Sequence, residues 1–168
     1  MRIIVVVMLS TAFALAQVPP AASTAACGPD KVSFRVKLDE SQHTLSQPDS
    51  GKARVYFLHD AGSGSILGYP TVKLALDGAW VGANHGNSYF PVSVEPGEHH
   101  VCVTLQSSLV AQRVELAHFT AEADRIYYYR TRLVVSRSVE LLELDAIDSD
   151  QGKYLIASFP LSVSNPKK

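Results

Sequence analysis

Basic residues are scarce in this 168-residue chain, where 15 Lys and Arg stand against 16 Asp and Glu. A nucleic-acid binder needs a concentrated basic stripe, and none is present, so nucleic acid is excluded as a partner. No G-x-S-x-G motif occurs, which removes the usual signature of a nucleophile elbow. No internal repeat points to a solenoid, and no low-complexity stretch extends beyond Pro19 to Ala26. Long apolar runs are missing too: Ile3 to Ala16 falls short of the about 20 residues that cross a bilayer. Cysteine occurs only twice, at Cys27 and Cys102.

The apolar run is informative because of what flanks it. Met1-Arg2 gives a positive start, and Ala14-Leu15-Ala16 fits a small-x-small cleavage site before Gln17. Residues 1–16 are therefore expected to be a secretory signal peptide, with the retained anchor as the rival reading. Lipidation at Cys27 fits poorly, because Cys27 lies beyond Pro19-Pro20 and Thr24 stands where a large apolar residue would be expected. Two cysteines in an exported chain usually pair, so a Cys27–Cys102 disulfide is expected, stabilising by about 4 kcal/mol in the chain-entropy model. Signal removal takes away Arg2, leaving 14 basic against 16 acidic residues and a net charge of −2. The mature protein is expected to be periplasmic or secreted, with no membrane span.

Strand signals fill the remainder. Val32, Phe34, Val36 and Leu38 alternate with polar residues, as a half-buried strand does. Ala53 to His59 reads as the next strand, after a polar linker from Asp39 to Lys52. Val72 to Leu105 then reads as two β-hairpins. In the first, Val72, Leu74 and Leu76 alternate before Asp77-Gly78, residues that tolerate positive φ, and Trp80-Val81 starts the return. In the second, Tyr89 to Val94 runs into Pro96-Gly97, and His99, Val101, Val103 and Leu105 share one face of the strand that follows. Further strands are expected near Arg113 to Thr120, Arg125 to Val135 and Val139 to Leu144. Asp148 or Ser149 caps a short helix through Ala157, which Gly152 weakens.

The fold class expected is all-β: an Ig-like or PEGA-like antiparallel β-sandwich of about 7–9 strands, with a possible short C-terminal helix. Residues 17–30 form a flexible N-terminal segment, 31–160 a single domain and 161–168 a C-terminal tail. About 150 residues bury close to 70% of their unfolded surface, enough for one sandwich core.

The apolar strand, DG, VG, YF and PGEHHVCV sequence resembles the PEGA-type and related small β-sandwich modules of bacterial envelope proteins. With ARVYFLHD at Ala53 to Asp60 before it and RIYYYR at Arg125 to Arg130 after it, the chain resembles the bacterial domain-of-unknown-function family 2846 over roughly residues 50 to 160. The resemblance implies a fold and carries no catalytic residue to transfer.

Several groups of residues bear on chemistry. Tyr128, Arg130 and Arg132 share a strand face and are the candidate ligand-binding residues, offering flat contact area and bidentate donors to an envelope glycan or protein. The competing reading packs Tyr127 and Tyr129 in the core and lets Tyr128 and the arginines cover the outer sheet, since aromatic residues favour strands anyway. His100 and Cys102 share a face at a spacing of two, but a closed zinc site needs four ligands and a catalytic one three. The other histidines, His43, His59, His85, His99 and His118, read as surface or turn-capping residues. Ala61 to Gly68 is glycine-rich without a lysine placed to follow it, so it reads as a surface loop and not a phosphate cradle. Glu140, Glu143 and Asp145 form a late acidic cluster, with Glu140 and Glu143 on opposite faces, as solvation and not paired-carboxylate chemistry requires. No catalytic residue, metal or cofactor is expected. The function expected is a non-catalytic binding or scaffolding module of the cell envelope. The alternative is a small secreted hydrolase or metal-dependent enzyme using the surface histidines.

Overall fold

The computed structural model describes residues 27–29, 31–43, 45–62, 69–106, 114–136 and 139–168, with only the backbone at 135, 136, 139 and 140. The signal segment, most of the N-terminal segment, the glycine-rich stretch from 63 to 68, Arg113 and the Glu140 side chain lie outside the described residues.

Among the described residues, ten strands and one helix follow in the order β1 (Phe34–Asp39), β2 (Ala53–Asp60), β3 (Thr71–Leu76), β4 (Ala79–His85), β5 (Ser88–Val94), β6 (Gly97–Leu105), β7 (Val114–Ala121), β8 (Ile126–Ser136), β9 (Val139–Ile147), α1 (Ser149–Ser158) and β10 (Leu161–Pro166). They build a sandwich of a six-stranded sheet, β1-β10-β5-β2-β8-β9, and a four-stranded sheet, β4-β3-β6-β7. The strand count exceeds the 7–9 expected, and the larger sheet is mixed: β2 pairs with β8 in parallel, as β10 does with β5.

Between the sheets lies a core that includes Val55, Phe57, Val72, Leu74, Phe90, Val101, Val103 and Tyr129. Each large aliphatic or aromatic side chain so buried contributes roughly 1.5–3 kcal/mol through apolar surface withdrawn from water. β2 is central and buried on both faces apart from Arg54 and Asp60, because α1 covers its other side. There Tyr56, Leu58, Tyr89 and Tyr128 pack against Leu155, Ile156 and Phe159. The Asp148 carboxylate caps α1, accepting from the N–H groups of Asp150 and Gln151 at 2.9 Å each. Gly152, which weakens the helix as a sequence, lies where α1 meets the Tyr128 ring, and a Cβ there would fall well inside contact distance of that ring.

The first hairpin forms as read: β3 and β4 pair antiparallel, and Asp77 and Gly78 turn with φ of 50° and 80°. Two positive φ values make a turn whose twist matches the strands it joins. The second is not a hairpin. β5 pairs with β2 and β10, whereas β6 pairs with β3 and β7, so Pro96-Gly97 carries the chain from one sheet to the other. Alternation tells which side of a strand is buried, and both strands bury a side in the same core; it does not say which sheet each joins.

The expected tail is also a strand. β10 pairs antiparallel with β1 from Leu161 opposite Asp39 to Pro166 opposite Phe34. It closes one flank of the sandwich as well. The Ser162 hydroxyl donates to the Ala83 carbonyl at 2.6 Å, and the Ser164 hydroxyl accepts from the Ala83 N–H at 3.1 Å. Two side chains thus satisfy the open edge of β4, a site where an unpaired strand invites aggregation.

Candidate functional site

The proposed ligand face on β8 is occupied by the protein itself. Register places Tyr128, Arg130 and Arg132 beside Tyr56, Leu58 and Asp60 of β2 and opposite Ile147, Asp145 and Glu143 of β9. Tyr128 is buried beneath α1 and stacks on Tyr56 with ring centroids 5.6 Å apart at 16°. Burial, with Tyr56 beside it, raises the Tyr128 pKa. It offers no platform to a ligand, because a helix not placed by the strand's own periodicity lies on that face. The arginines are ion-paired: Arg132 donates to Glu143 at 2.9 Å and Asp145 at 3.0 Å, and Arg130 stands 3.6 Å from Asp145. Glu143 and Asp145 thus belong to a cross-strand charge ladder and are not merely solvated.

Cys27 and Cys102 form a disulfide with Cα atoms 5.1 Å apart across 75 residues of chain. This removes Cys102 as a thiolate partner for His100. It also straps residues 27–29 and 31–33 across the outer face of the smaller sheet. Ala75 and Cys102 are buried there, with Trp80 packed beside them. Trp80 Nε1 donates to the Pro29 carbonyl at 2.8 Å, and Lys73 Nζ donates to the Val32 carbonyl at 2.9 Å while lying 4.3 Å from the Trp80 ring.

A cavity of about 330 Å³ opens at one end of the sandwich, lined by Leu38, Tyr69, His85, Gly86 and Asn87. That volume is at the lower end of small-molecule sites. The lining comes from the end of β1, the approach to β3 and the β4–β5 turn, where Gly86 has φ of 59°. Tyr69 is 62% exposed and lies against Gly86. Asn87 is oriented by accepting the Ala61 N–H at 2.8 Å, and His85 Nδ1 lies 3.1 Å from the Thr71 hydroxyl. Among the described residues, no lining side chain bears a carboxylate, ammonium or guanidinium group, which suits a neutral polar ligand with an apolar face. His85 was singled out in the sequence, but Leu38, Tyr69 and Asn87 were not. They lie 31 and 18 residues apart along the chain, and no local pattern joins them.

Behind the cavity, four polar residues with no exposed surface, His59, Asn84, Ser88 and Thr131, cap the end of the core. Asn84 Nδ2 donates to the Phe57 carbonyl at 3.1 Å, Ser88 donates to Asn84 Oδ1 at 3.3 Å, and the Ser88 oxygen accepts the His85 N–H at 3.2 Å. The Thr131 hydroxyl gives its proton to the Leu58 carbonyl, so at 3.0 Å from His59 Nδ1 it accepts from that nitrogen. Nδ1 therefore carries the ring proton, and Nε2 is a buried lone pair with no partner among the described residues. Burial lowers the His59 pKa to about 4 against the pull of the Thr131 carbonyl, and the ring is neutral at pH 7.

His99 is the opposite case. Its Nδ1 lies 2.6 Å from the Asp77 carboxylate and its Nε2 2.7 Å from the Glu95 carbonyl. Both partners can only accept, so the ring donates twice and is an imidazolium. Burial opposes that charge, but the Glu95 and Asp77 bonds outweigh it and raise the pKa. His99 thus ties the Asp77-Gly78 turn to the Pro96-Gly97 crossing. Among the described residues, no three His, Cys, Asp or Glu side chains converge as a metal cage, and no helix is long and apolar enough to cross a membrane.

No family model matches the chain, and neither the curated proteins nor the solved structures contain a match to it.

Proposed function

We propose that this chain is an exported bacterial protein of the cell envelope, periplasmic or secreted, acting as a non-catalytic module that binds or scaffolds another envelope component. The observation that carries the reading is the disulfide strap. Cys27 lies just behind the apolar N-terminal run and is covalently joined to Cys102 in the middle of the fold, a bond that persists in oxidising compartments and is rare in the reducing cytosol. The resemblance of the DG, VG, YF and PGEHHVCV residues to PEGA-type modules of envelope proteins agrees with an envelope role.

The partner is an envelope protein or glycan, and the cavity at Tyr69, His85 and Asn87 replaces the β8 face as the contact. An exposed aromatic ring beside an oriented amide and imidazole, with no carboxylate, ammonium or guanidinium among the described lining residues, suits the apolar face and hydroxyls of a sugar.

The test is expression of the full chain followed by fractionation, mass measurement and titration with soluble peptidoglycan fragments. Export predicts a product outside the cytoplasm that begins at Gln17, with both thiols unreactive until reduction. A cytoplasmic product with two free thiols overturns it. Amide shifts confined to residues 69 and 85–87 support the glycan contact, whereas titration without shifts removes the glycan as partner.

A further inference from the structure

The outer face of the smaller sheet holds an arrangement unrelated to the cavity. His100 on β6 and His118 on β7 stand directly opposite one another. The His100 N–H is donated to the Asp77 carboxylate at 2.8 Å, and its carbonyl accepts the Asp77 N–H at 2.9 Å. Both backbone groups therefore point toward the β3–β4 hairpin and away from β7. On β7 the same phase recurs two residues later, where the Thr120 carbonyl accepts from the Tyr127 hydroxyl at 3.2 Å and is not spent on Glu98 across from it. His100 and His118 are thus a non-hydrogen-bonded pair, the class in which opposed Cα atoms come within about 4.5 Å and side chains stand closest.

Both imidazoles are exposed, and their centroids lie 6.5 Å apart at 39°. Two rings sharing one ion at an ordinary metal–nitrogen distance of about 2.0 Å would have centroids about 5 Å apart. Side-chain rotation at the surface supplies that change without moving either strand. Cys102, the next residue on this face of β6, is held in the disulfide and contributes no thiolate.

We propose that His100 and His118 form a two-point site for a divalent transition metal, with water completing the coordination. Imidazole nitrogen selects against magnesium and calcium, which take oxygen ligands, and in favour of nickel, zinc and above all copper(II), the tightest of the divalent series. A metal held there joins an edge strand to its neighbour, so occupancy stabilises the fold by mass action.

The experiment titrates copper(II) alone into the full mature chain, followed by calorimetry, thermal unfolding and paramagnetic broadening of backbone amide signals. The expected result is one saturable site, a raised melting temperature and broadening confined to residues 98–102 and 116–120. Losing a direct ligand should cost at least the about 10-fold seen when groups around a metal site are lost, so His100→Gln and His118→Gln should each weaken binding by that much or more. Both positions are exposed, and an unaltered melt without metal shows that the variants fold. Equal affinity in either variant, or broadening centred elsewhere, overturns the proposal.

Discussion

The two sheets are covered on their outer faces in different ways, although the contacts are alike. On the larger sheet, Gly152 of α1 lies on the Tyr128 ring; on the smaller, Gly28 of the strap lies on the Trp80 ring. Each covering brings backbone against an aromatic ring at a distance that leaves no room for a Cβ. The helix satisfies its own backbone groups, is capped by Asp148 and buries Leu155 and Ile156. Among the described residues the strap makes a single long backbone bond of its own, from the Val32 N–H to the Pro29 carbonyl at 3.4 Å, and takes its shorter ones from Trp80, Lys73 and the Lys167 N–H. What the helix obtains from its own hydrogen bonds and apolar side chains, the strap obtains from a covalent bond. Irregular backbone can lie on a sheet, but it needs an external tether to remain there.

Removing the tether should therefore separate the two coverings most sharply. The Cys27→Ala, Cys102→Ala double variant should lose about 4 kcal/mol, roughly 10 °C in melting temperature. Amide exchange should accelerate at 28 and 31–33 before it does at 149–158. Acceleration in α1 first would break the comparison.

Acid should act on both coverings together, because His59 lies in the core between them. An unfolded histidine takes up its proton near pH 6.5, whereas folded His59 resists to about 4. The stability it contributes is whole above pH 6.5 and is lost as pH falls toward 4, a loss of about 3 kcal/mol. Denaturant unfolding at pH 7 and pH 4.5 should show the loss, and His59→Asn should flatten it. An acid limb unchanged by that variant would assign it to other groups.

Gly152→Ala sets a helix-propensity gain of about 1 kcal/mol against an overpacking cost of roughly 1–3 kcal/mol at Tyr128. A net loss of about 1 kcal/mol is expected from thermal melts. Gly28→Ala should cost less, since the strap can shift on a half-buried Trp80; the reverse order would mean that the strap is the tighter covering. Asp148→Ala, which removes only the cap, should cost about 1 kcal/mol or less, with faster exchange confined to the first turn of α1.

What the sequence made legible follows from how local each signal is. Asp77-Gly78 specified its turn through its own backbone preferences, and Asp148 specified the start of α1. Cys27 and Cys102 were paired because there was no other choice. Pro96-Gly97 was misread because a corner between sheets and a hairpin ask the same of their two residues. The strand 161–166 looked like a tail, since its pairing depends on β1, more than 120 residues earlier by their numbers. Tyr128 was misplaced for the same kind of reason, as its cover comes from a helix beyond β9. The cavity left no trace, because Leu38, Tyr69 and Asn87 come from the end of β1, the approach to β3 and the β4–β5 turn and meet only in the fold.

β10 gives the molecule an order of assembly. Until Leu161–Pro166 has been synthesised, β1 lacks the neighbour that holds it in the larger sheet, and the Ala83 groups of β4 remain open to any passing strand. A nascent chain that has exposed the first nine strands is therefore still unsealed. Closure waits for Leu161–Pro166, and a chain that stops before Leu161 would present the Ala83 edge of β4 as its most adhesive feature.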